Sequence, residues 1–196
     1  MKKVAVLATL ALASLSSFAN ANKVNEGWYL GGGVGNTGFD IDGYDTNVEP
    51  DGNALKMYGG YKFNRIVSAE VAYTSYGDLK YKQGYALAGQ TAASPSSISL
   101  SANLGYTFDS GWRPFVILGL SSVDLDAKQA ELFYSDSGTG AHTGLGLEYS
   151  LKSIDGLTMR LAYEADTFEV ESQFFGMKYT QDYTVDSAYF GVSYAF

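Results

Sequence analysis

Cysteine is absent from the 196 residues, so the chain has no disulfide and no thiolate chemistry. Histidine occurs once, as His142, and a lone imidazole builds no zinc site without several carboxylate partners. Basic residues are scarce, with 13 Lys and Arg against 21 Asp and Glu. The net charge of −8 argues against a nucleic-acid partner, which would ask for a basic patch. Past the N-terminal leader no stretch approaches the roughly 18 consecutive apolar residues of a transmembrane helix. A membrane protein of this composition is left with one architecture, the closed β-barrel, because only closure satisfies every backbone group in lipid.

The N-terminus reads as an export signal. Lys2 and Lys3 form a positive start, and Val4 to Leu15 an apolar run broken only by Thr9 and Ser14. Ala19-Asn20-Ala21 is a small-x-small cleavage site, with Ala19 and Ala21 as its small residues. Residues 1–21 are therefore expected to be a signal peptide and residues 22–196 a single barrel domain. Removing the leader takes away Lys2 and Lys3 and moves the net charge to −10.

Period-two alternation, the mark of a strand with two unlike faces, recurs in eight segments. Trp28, Leu30 and Val34 oppose Tyr29 and three glycines; Leu55, Met57, Tyr61 and Phe63 oppose Lys56, Tyr58, Gly60 and Lys62. Val67, Ala69, Val71 and Tyr73 oppose Ser68, Glu70, Ala72 and Thr74. The longest clean run sets Ile98, Leu100, Ala102, Leu104, Tyr106 and Phe108 against serines, Asn103, Gly105 and Thr107. The segment at 112–122 is less regular, since Phe115 and Ile117 lie opposite Trp112, Val116, Leu118 and Leu120. Leu145, Leu147, Tyr149 and Leu151 then oppose Gly144, Gly146 and Glu148, and Leu157, Met159, Leu161 and Tyr163 oppose Arg160, Ala162, Glu164 and Asp166. The last segment, 188–196, alternates Ala188, Phe190, Val192, Tyr194 and Phe196 with Tyr189, Gly191, Ser193 and Ala195. The chain stops there, and the strand is expected to end the fold with no domain after it.

Three connections are tight, at 64–65, 109–111 and 152–155; four are long, at about 37–53, 78–96, 123–139 and 168–183. Short turns at one end and long loops at the other are the pattern of outer-membrane barrels. The apolar faces also carry too much bulk for an eight-strand lumen, which is only just wide enough for side chains. The opposite faces, rich in Gly, Ser, Ala, Thr and charge, suit such a lumen. Aromatics gather near the turns, among them Trp28, Tyr61, Phe63, Trp112 and Tyr149, where a periplasmic girdle would lie. The expected fold is all-β, an eight-stranded antiparallel up-and-down transmembrane β-barrel.

Five stretches, GWYLGGGVG (27–35), GGYKFN (59–64), WRPFVILGLS (112–121), GLGLEYSL (144–151) and AYFGVSYAF (188–196), resemble the OmpA/OmpX-type eight-stranded outer-membrane β-barrel family, the outer membrane protein beta-barrel domain. The family commonly has a small residue where Ile117 stands. The resemblance implies the cell outer membrane as location and outer-membrane lipid and lipopolysaccharide as surroundings. It also implies recognition by the barrel-assembly machinery through a terminal aromatic, here the signal Phe190, Val192, Tyr194 and Phe196. A monomer is expected, and no periplasmic tethering role is carried over.

Charged residues on the lumen faces fall in two layers. Glu70, Glu148 and Arg160 lie about three or four residues in from the turns; Lys56 and Glu164 lie about seven or eight, so that pair must reach across the lumen. Opposite signs in each layer point to a structural salt-bridge network, because buried charges are costly unless paired. Family members use such an interior network. Outer-membrane lipid A deacylases pair His with Ser in a His-x-Ser pattern, but His142-Thr143-Gly144 has glycine where the serine would stand. Asp40 to Glu49 looks calcium-like, yet Gly43 follows Asp40 by three positions where the EF-hand needs glycine at position six. That loop reads as a solvated acidic segment, with weak divalent bridging to lipopolysaccharide left open. GGGVG (31–35) lacks the Lys-Ser/Thr end and helix of a phosphate loop. No catalytic residue, cofactor or metal is expected. The expected function is a non-catalytic barrel with surface-exposed loops in a structural, adhesion or interaction role, toward a host or surface ligand. The alternative is a narrow passive channel for small solutes or ions.

Overall fold

The computed structural model describes residues 26–41, 47–84, 87–126, 137–174 and 177–196. The expected signal peptide, with Ala19 and Ala21, lies outside them, as do Asp42 and Asp45 of the calcium-like loop. In chain order the strands are β1 (Gly27–Asn36), β2 (Gly38–Ile41), β3 (Val48–Asp51), β4 (Asn53–Lys62), β5 (Val67–Ser75), β6 (Asp78–Tyr81), β7 (Thr91–Ala93), β8 (Ser96–Gly105), β9 (Trp112–Asp124), β10 (Ser137–Ser150), β11 (Leu157–Phe174) and β12 (Met177–Ala195).

Eight of these form one antiparallel sheet in the order β1-β4-β5-β8-β9-β10-β11-β12, closed by β1 pairing back onto β12 from Tyr29↔Ala195 to Gly35↔Tyr189. Closure leaves no barrel edge, the condition for burying a sheet in lipid. Tight turns link β4–β5, β8–β9 and β10–β11. In the first, the Asn64 side-chain oxygen accepts from the amides of Ile66 (2.8 Å) and Val67 (2.9 Å), closing the reversal at 63–66.

The alternation resolves into opposite environments. Leu100, Leu120 and Leu161 point outward and are 65%, 67% and 62% exposed, whereas Ile117 and Arg160 point inward and are 0% and 1% exposed. A soluble protein would have this reversed. At the turn end the outward aromatics touch in pairs: Trp28 with Tyr61 (5.1 Å between ring centres), Tyr61 with Phe63 (5.1 Å), Tyr106 with Phe108 (5.0 Å) and Trp112 with Tyr149 (4.7 Å). Tyr194 and Phe196 complete the belt at 5.5 Å, and the Phe196 amide donates to the Trp28 carbonyl (2.9 Å).

The loop end differs from expectation. Residues 168–174 and 177–183, expected as a loop, extend the hairpin of β11 and β12 in unbroken register from Phe168↔Tyr183 to Phe174↔Met177. The cause is visible in the chain: Phe168, Val170 and Phe174 keep one parity while Glu169 and Glu171 keep the other, so alternation continues under a polar composition. The connections at about 37–53 and 78–96 also hold strands. β2 pairs with β12, and β3, β6 and β7 form a separate three-stranded sheet. Above the charged lumen, Ala54, Tyr76, Val123, Leu125, Phe168, Tyr183 and Val185 pack into a buried apolar cap.

Candidate functional site: the charged lumen

Inward-facing positions of successive strands meet across the barrel and build two charged layers. In the layer nearer the turns, Arg160 on β11 grips Glu70 on β5 with both Nη atoms, at 2.9 and 2.7 Å. Its Nε and Nη2 also donate to Glu148 Oε1 on β10, at 3.0 and 2.8 Å. The guanidinium lies 4.1 Å over the Tyr58 ring and 5.1 Å from the Phe115 ring. Glu148 Oε2 accepts from Arg113 Nη1 (3.2 Å), which also donates to Asn103 Oδ1 (2.8 Å). Tyr29 donates to Glu70 Oε2 at 2.7 Å. Each buried charge therefore has a counter-charge and a hydrogen bond, the condition under which burial is tolerated.

The layer nearer the loops centres on Glu164, which pairs with Lys56 on β4 and lies 3.2 Å from His142 Nε2 on β10. His142 Nδ1 faces Asp166 Oδ1 at 2.7 Å, and Asp166 Oδ2 accepts from the Tyr76 hydroxyl at 2.6 Å. Tyr189 on β12 joins the layers: it donates to Glu164 Oε1 (2.5 Å) and accepts from Arg160 Nη1 (3.3 Å).

All five expected lumen charges, Lys56, Glu70, Glu148, Arg160 and Glu164, thus lie in one connected network. Two details correct the sequence reading. Arg113 adds a second guanidinium to the lower layer, from the segment whose apolar face is irregular. His142 and Asp166 add charge to the upper layer, where only Lys56 and Glu164 were expected. Both additions share lumen parity with residues already placed inside, Arg113 with Phe115 and Asp166 with Glu164, and that parity was the available signal. The tyrosine hydroxyls gave no comparable signal, since Tyr also populates the lipid face. The lumen is bulkier than its Gly, Ser, Ala and Thr content suggests. Tyr29, Tyr58, Phe115, Ile117, Ala162 and Tyr189 pack together between the layers with Ala72. Beside them, Lys56, Thr74, Tyr76, Glu164, Ser187 and Tyr189 line a cavity with room for about one water.

His142 is 1% exposed, inside the wall, with both ring nitrogens directed at carboxylates. Among the described residues no three His, Asp or Glu side chains are grouped to hold a metal ion. At the loop end Asp40, Glu49, Asp51, Asp78, Asp124 and Asp126 are exposed. Lys80 pairs with Asp51, whose hydrogen bond and charge hold the ammonium above the usual lysine range.

The family described as "Outer membrane protein beta-barrel domain" matches residues 5–196. The chain belongs to that family. Its location is the cell outer membrane. Outer membrane protein A of Shigella dysenteriae is 27% identical over 173 residues, covering 84% of this chain and 48% of that protein. The chain spans about half, or less, of the length of the curated relatives it matches. Two solved structures share the fold. The N-terminal barrel of Pseudomonas aeruginosa OprF has a TM-score of 0.52 at 15% identity, covering 87% of this chain and 98% of that one. Yersinia pestis Ail, in complex with the heparin analogue sucrose octasulfate, gives a TM-score of 0.52 at 15% identity over 88% and 99% of the two chains. In this family the short turns face the periplasm and the long loops the exterior.

Proposed function

We propose that this protein is a plugged, non-catalytic outer-membrane barrel whose work is done by its outer loops, in adhesion or surface interaction. The carrying observation is the filled lumen: two ion-paired layers, an aromatic layer between them and an apolar cap above. Side chains occupy the cross-section a solute would need, so the wall serves as a scaffold and specificity passes to the loops. The burial of His142 inside the wall, away from lipid, supports the non-catalytic reading.

The loop end favours a cationic partner. Beyond the exposed acidic residues already named, Glu169 and Asp182 sit directly opposite one another on β11 and β12, both exposed. Like charges opposed across a ladder are unfavourable, and a cationic ligand relieves that repulsion. Ail was solved with a sulfated ligand of the opposite sign; the acidic loops here do not fit that chemistry. Assembly as a monomer through the terminal Phe190, Val192, Tyr194 and Phe196 belongs to the same reading.

The test is attachment of cells carrying the protein to polylysine-coated and heparin-coated surfaces. Attachment to polylysine should exceed that to heparin, weaken with salt, and fall when Asp40, Glu49, Glu169 and Asp182 become amides. Equal attachment after neutralising these four, at equal surface level, would refute the loop assignment.

A further inference from the structure

The upper charged layer has a feature the lower one lacks: its charge balance depends on a proton. Glu164 and Asp166 lie two residues apart on the same face of β11, 3% and 0% exposed. Lys56 supplies one counter-charge. The second can come only from His142: each of its ring nitrogens faces a carboxylate oxygen, an ionised carboxylate only accepts, and both contacts are satisfied together when the ring is an imidazolium. Glu164 and Asp166 from β11 face it, and these in turn bond Lys56 from β4, Tyr189 from β12 and Tyr76 from the segment after β5. β9 presents Gly119 opposite it with Ser121 and Val123 beyond, and β8 presents Ser97, Ser99 and Ser101, none of which titrates.

The same layer is tied to the cap. Asp166 accepts from Tyr76, which is itself a cap residue, and Phe168 follows Asp166 by two positions on β11, packing against Gly138 of β10. Neutral imidazole can donate through only one nitrogen. It would leave one carboxylate facing a lone pair, with Lys56 the single cation for two buried anions. Such an anion is driven toward water, and the nearest exit runs past Tyr76 and Phe168.

We propose that His142 is a protonation-dependent latch: as imidazolium it holds Asp166 and Glu164 beneath the apolar cap, and on losing a proton it releases the cap at the loop-end mouth. This rests on the plugged-lumen reading. The latch is closed at the acidic side of its titration and opens as pH rises through it.

His142 is the sole histidine, so the ring 15N resonances of the full chain in phospholipid nanodiscs need no assignment. They are followed from about pH 6 into the alkaline range, beside amide-exchange protection factors for β11. The expected result is imidazolium at neutral pH, with protection at Asp166–Phe168 lost as the ring deprotonates while protection around Arg160 holds. His142→Gln should show the lowered cap protection at every pH. Tyr76→Phe should keep the ring titration while the cap no longer follows it. A neutral ring at pH 7, or ring titration with unchanged cap protection, overturns the latch; if His142→Gln does not fold, the wild-type profile decides alone. Steady conductance of the wild type at neutral pH would instead overturn the plugged reading, which separates the two failures.

Discussion

Arg160 and Leu161 are neighbours on one strand and live in opposite surroundings. The guanidinium is fully enclosed by two carboxylates, a tyrosine hydroxyl and two aromatic rings, while the leucine is 62% exposed to what the family places as lipid. The difference teaches that the barrel wall, and not the residue's polarity, assigns the solvent. Charge is tolerated inside because its counter-charges are fixed there. Hydrocarbon belongs outside because lipid surrounds it.

The strongest way to break this comparison is Arg160→Met. It keeps side-chain bulk but leaves Glu70 and Glu148 short of their main cation, and should cost about 3–5 kcal/mol, read from urea unfolding of the barrel in micelles. A loss near zero would mean the lower layer is not an enclosed ion-pair network. Leu100→Arg attacks the other face and should cost about 2–4 kcal/mol near the bilayer midplane; tolerance of that charge in a bilayer would move the lipid boundary.

Deleting Phe196 sharpens the comparison within the outer face. The yield of inserted barrel should drop, while molecules that do insert keep their unfolding free energy to within about 1 kcal/mol, the scale of the one backbone hydrogen bond to Trp28 that is lost. Unchanged yield would remove the terminal aromatic from assembly. Lys80→Ala lies outside both environments and should leave the midpoint where it was, since exposed ion pairs are screened. The raised Lys80 gives β3 and β6 a small mutual attraction below the usual lysine range, lost as pH climbs above it.

The eight barrel strands and their two faces were legible because the side-chain period is two and each face was chemically uniform. Lipid made Leu100, Leu118 and Leu120 stand out as surely as a core would. The site was legible only in outline. Lys56 and Glu164 could be paired by counting from the turns, but Tyr189 as the bridge between layers depends on how registers accumulate around the closed sheet, which no single segment carries. Arg113 was hidden by Pro114 and by the bulky Phe115 and Ile117 beside it, which blurred the inner parity. The tall β11–β12 hairpin is masked in the sequence because Glu169, Glu171 and Asp182 give it a loop's composition although the alternation of Phe168, Val170 and Phe174 continues.

A closed lumen leaves the outer loops as the working surface. Planar-bilayer recording of the folded full-length barrel at neutral pH tests it most directly. The wild type should show no steady single-channel steps, and steps should appear only when the network is cut, as in Arg160→Met. Regular steps from the wild type, altered by lumen substitutions, would contradict it and make the protein a channel.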